Sequence, residues 1–120
     1  MFIIQAIHYN NKTFVSIKNT SNGEVSRETV FHYKQQEHMV WADYSGGGIL
    51  LGHLIGVVDE RGTLEMRYHH INEAGELMTG ECTSVPEILS DGRMRLYESW
   101  QWTCKDQSKG QSIVEEVKEE

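Results

Sequence analysis

Apolar and polar residues alternate at period two through most of this chain, and turn signals break the runs at intervals of roughly 10–17 residues. Side chains two apart on a strand face the same way, so such runs specify half-buried strands. The clearest is Leu64 to His70, where Leu64, Met66, Tyr68 and His70 share one face and Glu65, Arg67 and His69 the other. Arg93 to Trp102 places Met94, Leu96, Glu98, Trp100 and Trp102 in line. Met39 to Tyr44 carries Met39, Trp41 and Asp43 on one side. Thr13 to Lys18 sets Val15 and Ile17 against Ser16 and Lys18, and Val25 to Lys34 sets Phe31 and Tyr33 against Val30 and His32. Ile49 to Val58 is apolar throughout, the pattern of a strand covered on both sides or lying across a closed end. With Leu77 to Ser84, and Ile113 to Val117 as a last strand or short helical turn, about eight strands result, a normal number for one sheet or barrel.

The punctuation agrees. Asn22-Gly23 reads as a type I′ hairpin turn, where both central residues need positive φ. Gly46-Gly47-Gly48, Asp59 to Gly62, Asn72 to Gly75 and Asp91-Gly92 repeat that chemistry, and Gln35 to Glu37 and Lys105 to Gly110 add polar breaks. No long window shows helical periodicity. Pro86 lacks a ladder donor and belongs at an edge or in a loop. Gly52 and Gly56 permit the sharp bend or close approach that a closing barrel requires, which favours a barrel over a sandwich. The expected fold is all-β: one domain over residues 1–120, with 1–8 and 116–120 as loose ends. Its architecture is an up-and-down antiparallel barrel of the lipocalin or fatty-acid-binding kind, an analogy of shape that carries no function.

Eighteen acidic against 11 basic residues give a net charge of −7. That field disfavours nucleic acid and anionic membrane as partners. Two cysteines, Cys82 and Cys104, do not make a disulfide framework. The apolar opening Met1 to Ile7 lacks the basic flank and cleavage site of a signal peptide, and no stretch approaches the roughly 20 apolar residues of a membrane helix. A cytoplasmic protein with reduced thiols is expected.

The runs Tyr33-Lys34-Gln35, Val40 to Gly47, Gly52 to Gly56, Met66 to His70, Gly75 to Gly80 and Glu98 to Trp102 resemble a family of short bacterial proteins of unassigned function. The resemblance covers Tyr9 to Glu116. Members often carry the label "N-acetylglutamate synthase", which implies an acetyltransferase. An acetyl-coenzyme A enzyme holds pyrophosphate on the free N–H groups where a glycine-bearing loop opens a helix. Here the glycines lead into strands, so the residues do not supply that chemistry.

Of the six histidines, His69 and His70 are adjacent and point to opposite faces of a strand. No spacing typical of a zinc site occurs, so no metal and no cofactor is expected. Cys82 reads as a buried inert thiol and Cys104 as a surface one. Glu98 faces inward with Trp100 and Trp102, and a buried carboxylate must be paired or protonated. Trp41, Asp43, Tyr68 and His70 are expected to share that interior, giving aromatic walls around a few polar groups, the usual composition of a small-molecule pocket. The leading expectation is a non-enzymatic module holding a small, partly apolar ligand. The alternatives are an enzyme using Glu98 and His70 as an acid–base pair, and an interaction protein using a strand edge or apolar patch.

Overall fold

A closed shell can bury only one side of each strand, and that single fact sorts the side chains of this protein. The computed structural model describes residues 7–118; residues 1–6 and 119–120, including most of the apolar opening, lie outside it. Eight strands follow one another: β1 (Lys12–Asn19), β2 (Val30–Gln36), β3 (Met39–Gly46), β4 (Ile49–Val58), β5 (Leu64–Asn72), β6 (Leu77–Ile88), β7 (Met94–Trp102) and β8 (Lys109–Glu116). Each pairs antiparallel with the next, and β8 pairs with β1 to close the barrel. Closure leaves no full-length strand edge among the described residues, which removes the edge, but not the apolar patch, from the interaction alternative. Glu116 lies in β8 and Ile7 packs on the core, so the ordered barrel extends slightly past the expected bounds.

Leu64, Met66 and His70 on β5, and Met94, Leu96, Trp100 and Trp102 on β7, are buried as their alternation predicts. Three other segments turn out differently. In β1 the inward residues are Phe14 and Ser16, while Val15 and Ile17 face out. In β3 they are Val40, Ala42 and Tyr44, which puts Trp41 and Asp43 on the outer wall. Both parities of β3 are apolar, and the register decides: Trp41 sits opposite Ile55, and Asp43 opposite His53, all four outward. In β4 only one face is covered, and Leu51, Ile55 and Val57 meet solvent.

Asn22-Gly23 does not close a tight hairpin. It falls within the stretch 20–29 between β1 and β2, and Gly23 is not among the positive-φ residues. Pro86 lies inside β6, paired with Leu96. The pairing of β6 with β5 ends at Ser84, so on that side Pro86 is locally an edge and its missing donor is not needed.

One end of the barrel is packed solid. Tyr9 donates its hydroxyl to the carbonyl of Gly62 at 2.6 Å and covers the floor. Its ring lies 5.6 Å from that of Tyr33, which Phe14 meets edge-on at 5.0 Å. Farther along, three glycines stand directly opposite aromatic residues on the next strand: Gly52 by Tyr44, Gly80 by Tyr68, and Gly110 by Trp100. A Cβ at any of them would collide with the facing ring, so each glycine lets a ring lie flat on its neighbour. Gly110→Ala is expected to lose about 1–3 kcal/mol of stability by overpacking. Urea denaturation checks this, with a changed emission from the displaced Trp100; an unchanged midpoint would mean the ring shifts freely.

Candidate functional site

The other end of the barrel is less full. Antiparallel succession brings the ends of β1, β3, β5 and β7 and the starts of the strands that follow them to this rim. Halfway down, Ser84, Glu98 and Ser112 form one inward row, because Glu98 is the direct partner of Ser84 across β6–β7 and of Ser112 across β7–β8. Both hydroxyls donate to the carboxylate, Ser84 Oγ at 2.6 Å and Ser112 Oγ at 3.0 Å. Glu98 has no cationic partner among the described residues. The residue as a whole keeps some exposed area, yet its carboxyl lies deep in the protein. Desolvation raises its pKa, and the two hydroxyl contacts oppose that rise without cancelling it.

Burial, followed by the charge of Glu98, holds the phenol of Tyr33 well above its ordinary range. Tyr44 and Tyr68 are also raised, first by burial, so all three phenols stay neutral. Cys82 is pushed up by desolvation and then by Glu98, so it rests as an inert thiol. Cys104 is partly buried, with Sγ 3.5 Å from the carbonyl of Thr79. Both cysteines are free.

Above this row the aromatic side chains meet. Trp102 lies edge-on to Tyr68 at 5.9 Å, to His70 at 5.8 Å and to Trp100 at 5.5 Å. Of the seven residues expected in the site, the barrel thus gathers five: Tyr68, His70, Glu98, Trp100 and Trp102. Trp41 and Asp43 are absent from it. Asp43 instead contacts His53 Nδ1 at 2.6 Å on the outer wall, where side-chain exposures of 71% and 50% leave the pair screened and weak.

His70 also departs from its expected partner. Its Nδ1 meets the Tyr44 hydroxyl at 2.9 Å and its Nε2 meets Glu24 Oε1 at 2.7 Å. A carboxylate only accepts, which is consistent with Nε2 carrying the proton and Nδ1 accepting from Tyr44. Glu98 and His70 share no hydrogen bond, so the expected acid–base pair does not form. Glu24 is a site residue that the sequence does not announce. It reaches the rim from the stretch between β1 and β2, and its second oxygen accepts from Asn72 Nδ2 at 3.1 Å. Local sequence holds no signal for a contact made across 46 residues.

Glu24 and its neighbour Val25 close over a cavity of about 50 Å³ that Glu98, Trp100 and Trp102 also line. At ~30 Å³ per water that is room for one or two waters, well short of the roughly 150 Å³ known to admit benzene. A larger depression of about 530 Å³ lies on the outer wall, lined by Glu65, Arg67, Glu81 and Lys109. It is open to solvent and faces away from the buried carboxylate, so the inner cavity is the better candidate. Among the described residues, no group of three or more His, Cys, Asp or Glu is placed to hold a metal ion.

A family model described as avidin-like protein matches residues 7–117, nearly all of the barrel just described. The chain belongs to the avidin-like protein family. No curated protein and no solved structure matches it. The match agrees with a closed eight-stranded antiparallel barrel, and it bears neither on the lipocalin or fatty-acid-binding subtype nor on the N-acetylglutamate synthase label. In this avidin-like barrel the candidate site is the upper half of the interior, with a carboxylate below, aromatic rings around, and Glu24 above.

Proposed function

We propose that this avidin-like barrel is a non-enzymatic binder of a small, partly apolar molecule. Tyr68, Trp100 and Trp102 form its walls, and Glu98 and His70 are its polar contacts. The family supports the reading, since avidin-like barrels bind small molecules such as biotin. The observation that carries it is Glu98: a deeply placed carboxylate, held among the described residues only by two serine hydroxyls, beside a cavity. A protein gains nothing in stability from such a group, whereas a ligand with N–H or O–H donors would complete its hydrogen bonds. The acetyltransferase reading has less support, because the described residues hold no helix whose N-terminus could take a pyrophosphate.

Tryptophan emission tests the proposal. A library of small compounds bearing N–H or O–H donors, biotin among its largest members, is expected to yield members that quench the signal saturably, the larger ones by displacing the Glu24 and Val25 side chains that cover the cavity of about 50 Å³. Glu98→Gln is expected to weaken those members about 10-fold or more, the scale of a hydrogen bond to a charged acceptor. Binding that Glu98→Gln leaves untouched, or a library without any saturable member, would overturn the reading.

A further inference from the structure

We infer that His53 and His69 form a site for a divalent transition-metal ion on the outer wall, with Asp43 behind His53 as its orienting partner. The site lies apart from the cavity and goes beyond the binding reading above.

Strand register builds it. His32, Asp43, His53 and His69 are consecutive direct partners across β2, β3, β4 and β5, so they form one row at a single level of the barrel. All four are exposed. Residues directly opposite on antiparallel strands have Cβ atoms only about 4.5–5.5 Å apart. The rings of His53 and His69 accordingly meet, with centroids 5.9 Å apart and planes at 72°. Two imidazoles on one tetrahedral ion, each nitrogen ~2.0–2.1 Å from it, have centroids about 5 Å apart. A small side-chain rotation closes the pair to that spacing.

The nitrogens are already sorted for the task. His53 Nδ1 meets Asp43 Oδ1 at 2.6 Å. A carboxylate only accepts, so in the neutral ring the proton sits on Nδ1 and Nε2 keeps the lone pair that a metal takes. A carboxylate behind a histidine fixes tautomer and ring orientation in metal sites generally. Weak as an ion pair, the contact with Asp43 still sets the tautomer. The ring of His69 makes no hydrogen bond among the described residues, and only its carbonyl is engaged. His32 differs: its Nδ1 lies 3.4 Å from Thr13 Oγ1, and Asp43 stands between it and the pair.

A second observation concerns the surroundings. On one side of the pair Leu51 faces Ile71, and on the other Trp41 faces Ile55. These four are exposed, so the two imidazoles sit within an apolar rim that limits competition from water. Arg67, the cation of β5, leans away to Glu81 at 3.6 Å, and the net charge of −7 attracts cations.

Imidazole ligands select zinc, nickel and copper over the hard ions magnesium and calcium. Two protein ligands leave the other positions open to water or to an outside donor, which marks an exchangeable ion and not a structural one. No spacing in the sequence announces the site, because its ligands lie on different strands and meet only through register.

Titration calorimetry of the untagged full chain with Zn²⁺, at about pH 7.5 where histidine is mostly neutral, tests the site. A single equivalent is expected to bind, Cu²⁺ more tightly, and Mg²⁺ and Ca²⁺ not at all. His53→Ala and His69→Ala should each weaken Zn²⁺ by about tenfold or more, and Asp43→Ala by about tenfold, the lower end for an orienting carboxylate. His32→Ala should change nothing. In the wild type, Zn²⁺ should shift the ring resonances of His53 and His69 and leave those of His32 in place, a readout that needs no variant to fold. A chain that takes no Zn²⁺ overturns the inference. Uptake that either histidine substitution leaves unchanged, or a response shared equally by His32, would mean an adventitious ion only. Ca²⁺ taken as readily as Zn²⁺ would point to carboxylates and sink the imidazole pair. If Asp43→Ala alone is silent, the orienting role falls. None of these results bears on the cavity.

Discussion

Phe14→Ala is expected to lower the unfolding free energy by about 3–5 kcal/mol, the usual range for emptying a phenylalanine site in a packed core. Phe14 is fully buried and braces Tyr33 edge-on, and Tyr33 in turn lies against Tyr9 at the floor. The strands around them are tied into a closed ring, so the site has little freedom to collapse into the space left behind. Ile55→Ala provides the contrast. Its side chain is as apolar, but 65% of it is exposed on the outer wall, and surface changes of that kind stay within about 0.5 kcal/mol. Urea denaturation of the two variants measures the difference. Similar midpoints would mean that the closed end does not hold the barrel together, and that the one-sided burial described above is not where its stability resides.

The same one-sidedness explains what can be read in the sequence. On β5 and β7 the inward residues alternate with Glu65, Arg67, His69, Arg95 and Gln101, so charge and polarity mark the outer face and the inner one follows. Tyr68, His70, Glu98, Trp100 and Trp102 are legible for that reason. On β3 the outward Met39 and Trp41 are as apolar as the inward Val40 and Ala42. Periodicity finds a strand there but cannot tell its faces apart, and the size of tryptophan points the wrong way, drawing Trp41 and Asp43 inside. The serines around Glu98 are illegible for a different cause. Ser84 and Ser112 become its partners only through the register of three strands, which no single segment specifies. Glu24 lies beyond both kinds of signal, since nothing local ties an acid outside the strands to a histidine on β5.

Glu98→Gln is expected to make the protein more stable near neutral pH, by roughly 1–3 kcal/mol, the scale of an imperfectly compensated buried polar group. The sign follows from proton linkage. Glu98 titrates above its ordinary value in the folded chain, mainly through desolvation, while in the unfolded chain it titrates near about 4.3, as glutamate usually does. Between the ordinary and the raised pKa, the folded protein holds more protons than the unfolded one, so stability falls as pH rises through that window. Below it the carboxyl is neutral in both states, and the wild type and Glu98→Gln should differ little. Above it the wild type carries a buried charge that the amide does not, and the gap reaches its plateau. Glu115 behaves oppositely: burial pushes it up, but hydrogen bonds from Arg95 and Arg93 outweigh that, and its contribution is lost as pH falls. The difference between wild type and Glu98→Gln at each pH removes this background. Unfolding curves at about pH 4 and pH 7.5 decide the matter, and a variant weaker than the wild type at the higher pH would mean that the serine hydroxyls alone satisfy the carboxylate. The expected gain in stability comes with the loss of ligand binding foreseen for the same substitution. An acceptor that weakens the fold and strengthens a complex is under tension only while the barrel is empty, and a ligand donating to Glu98 would relieve it.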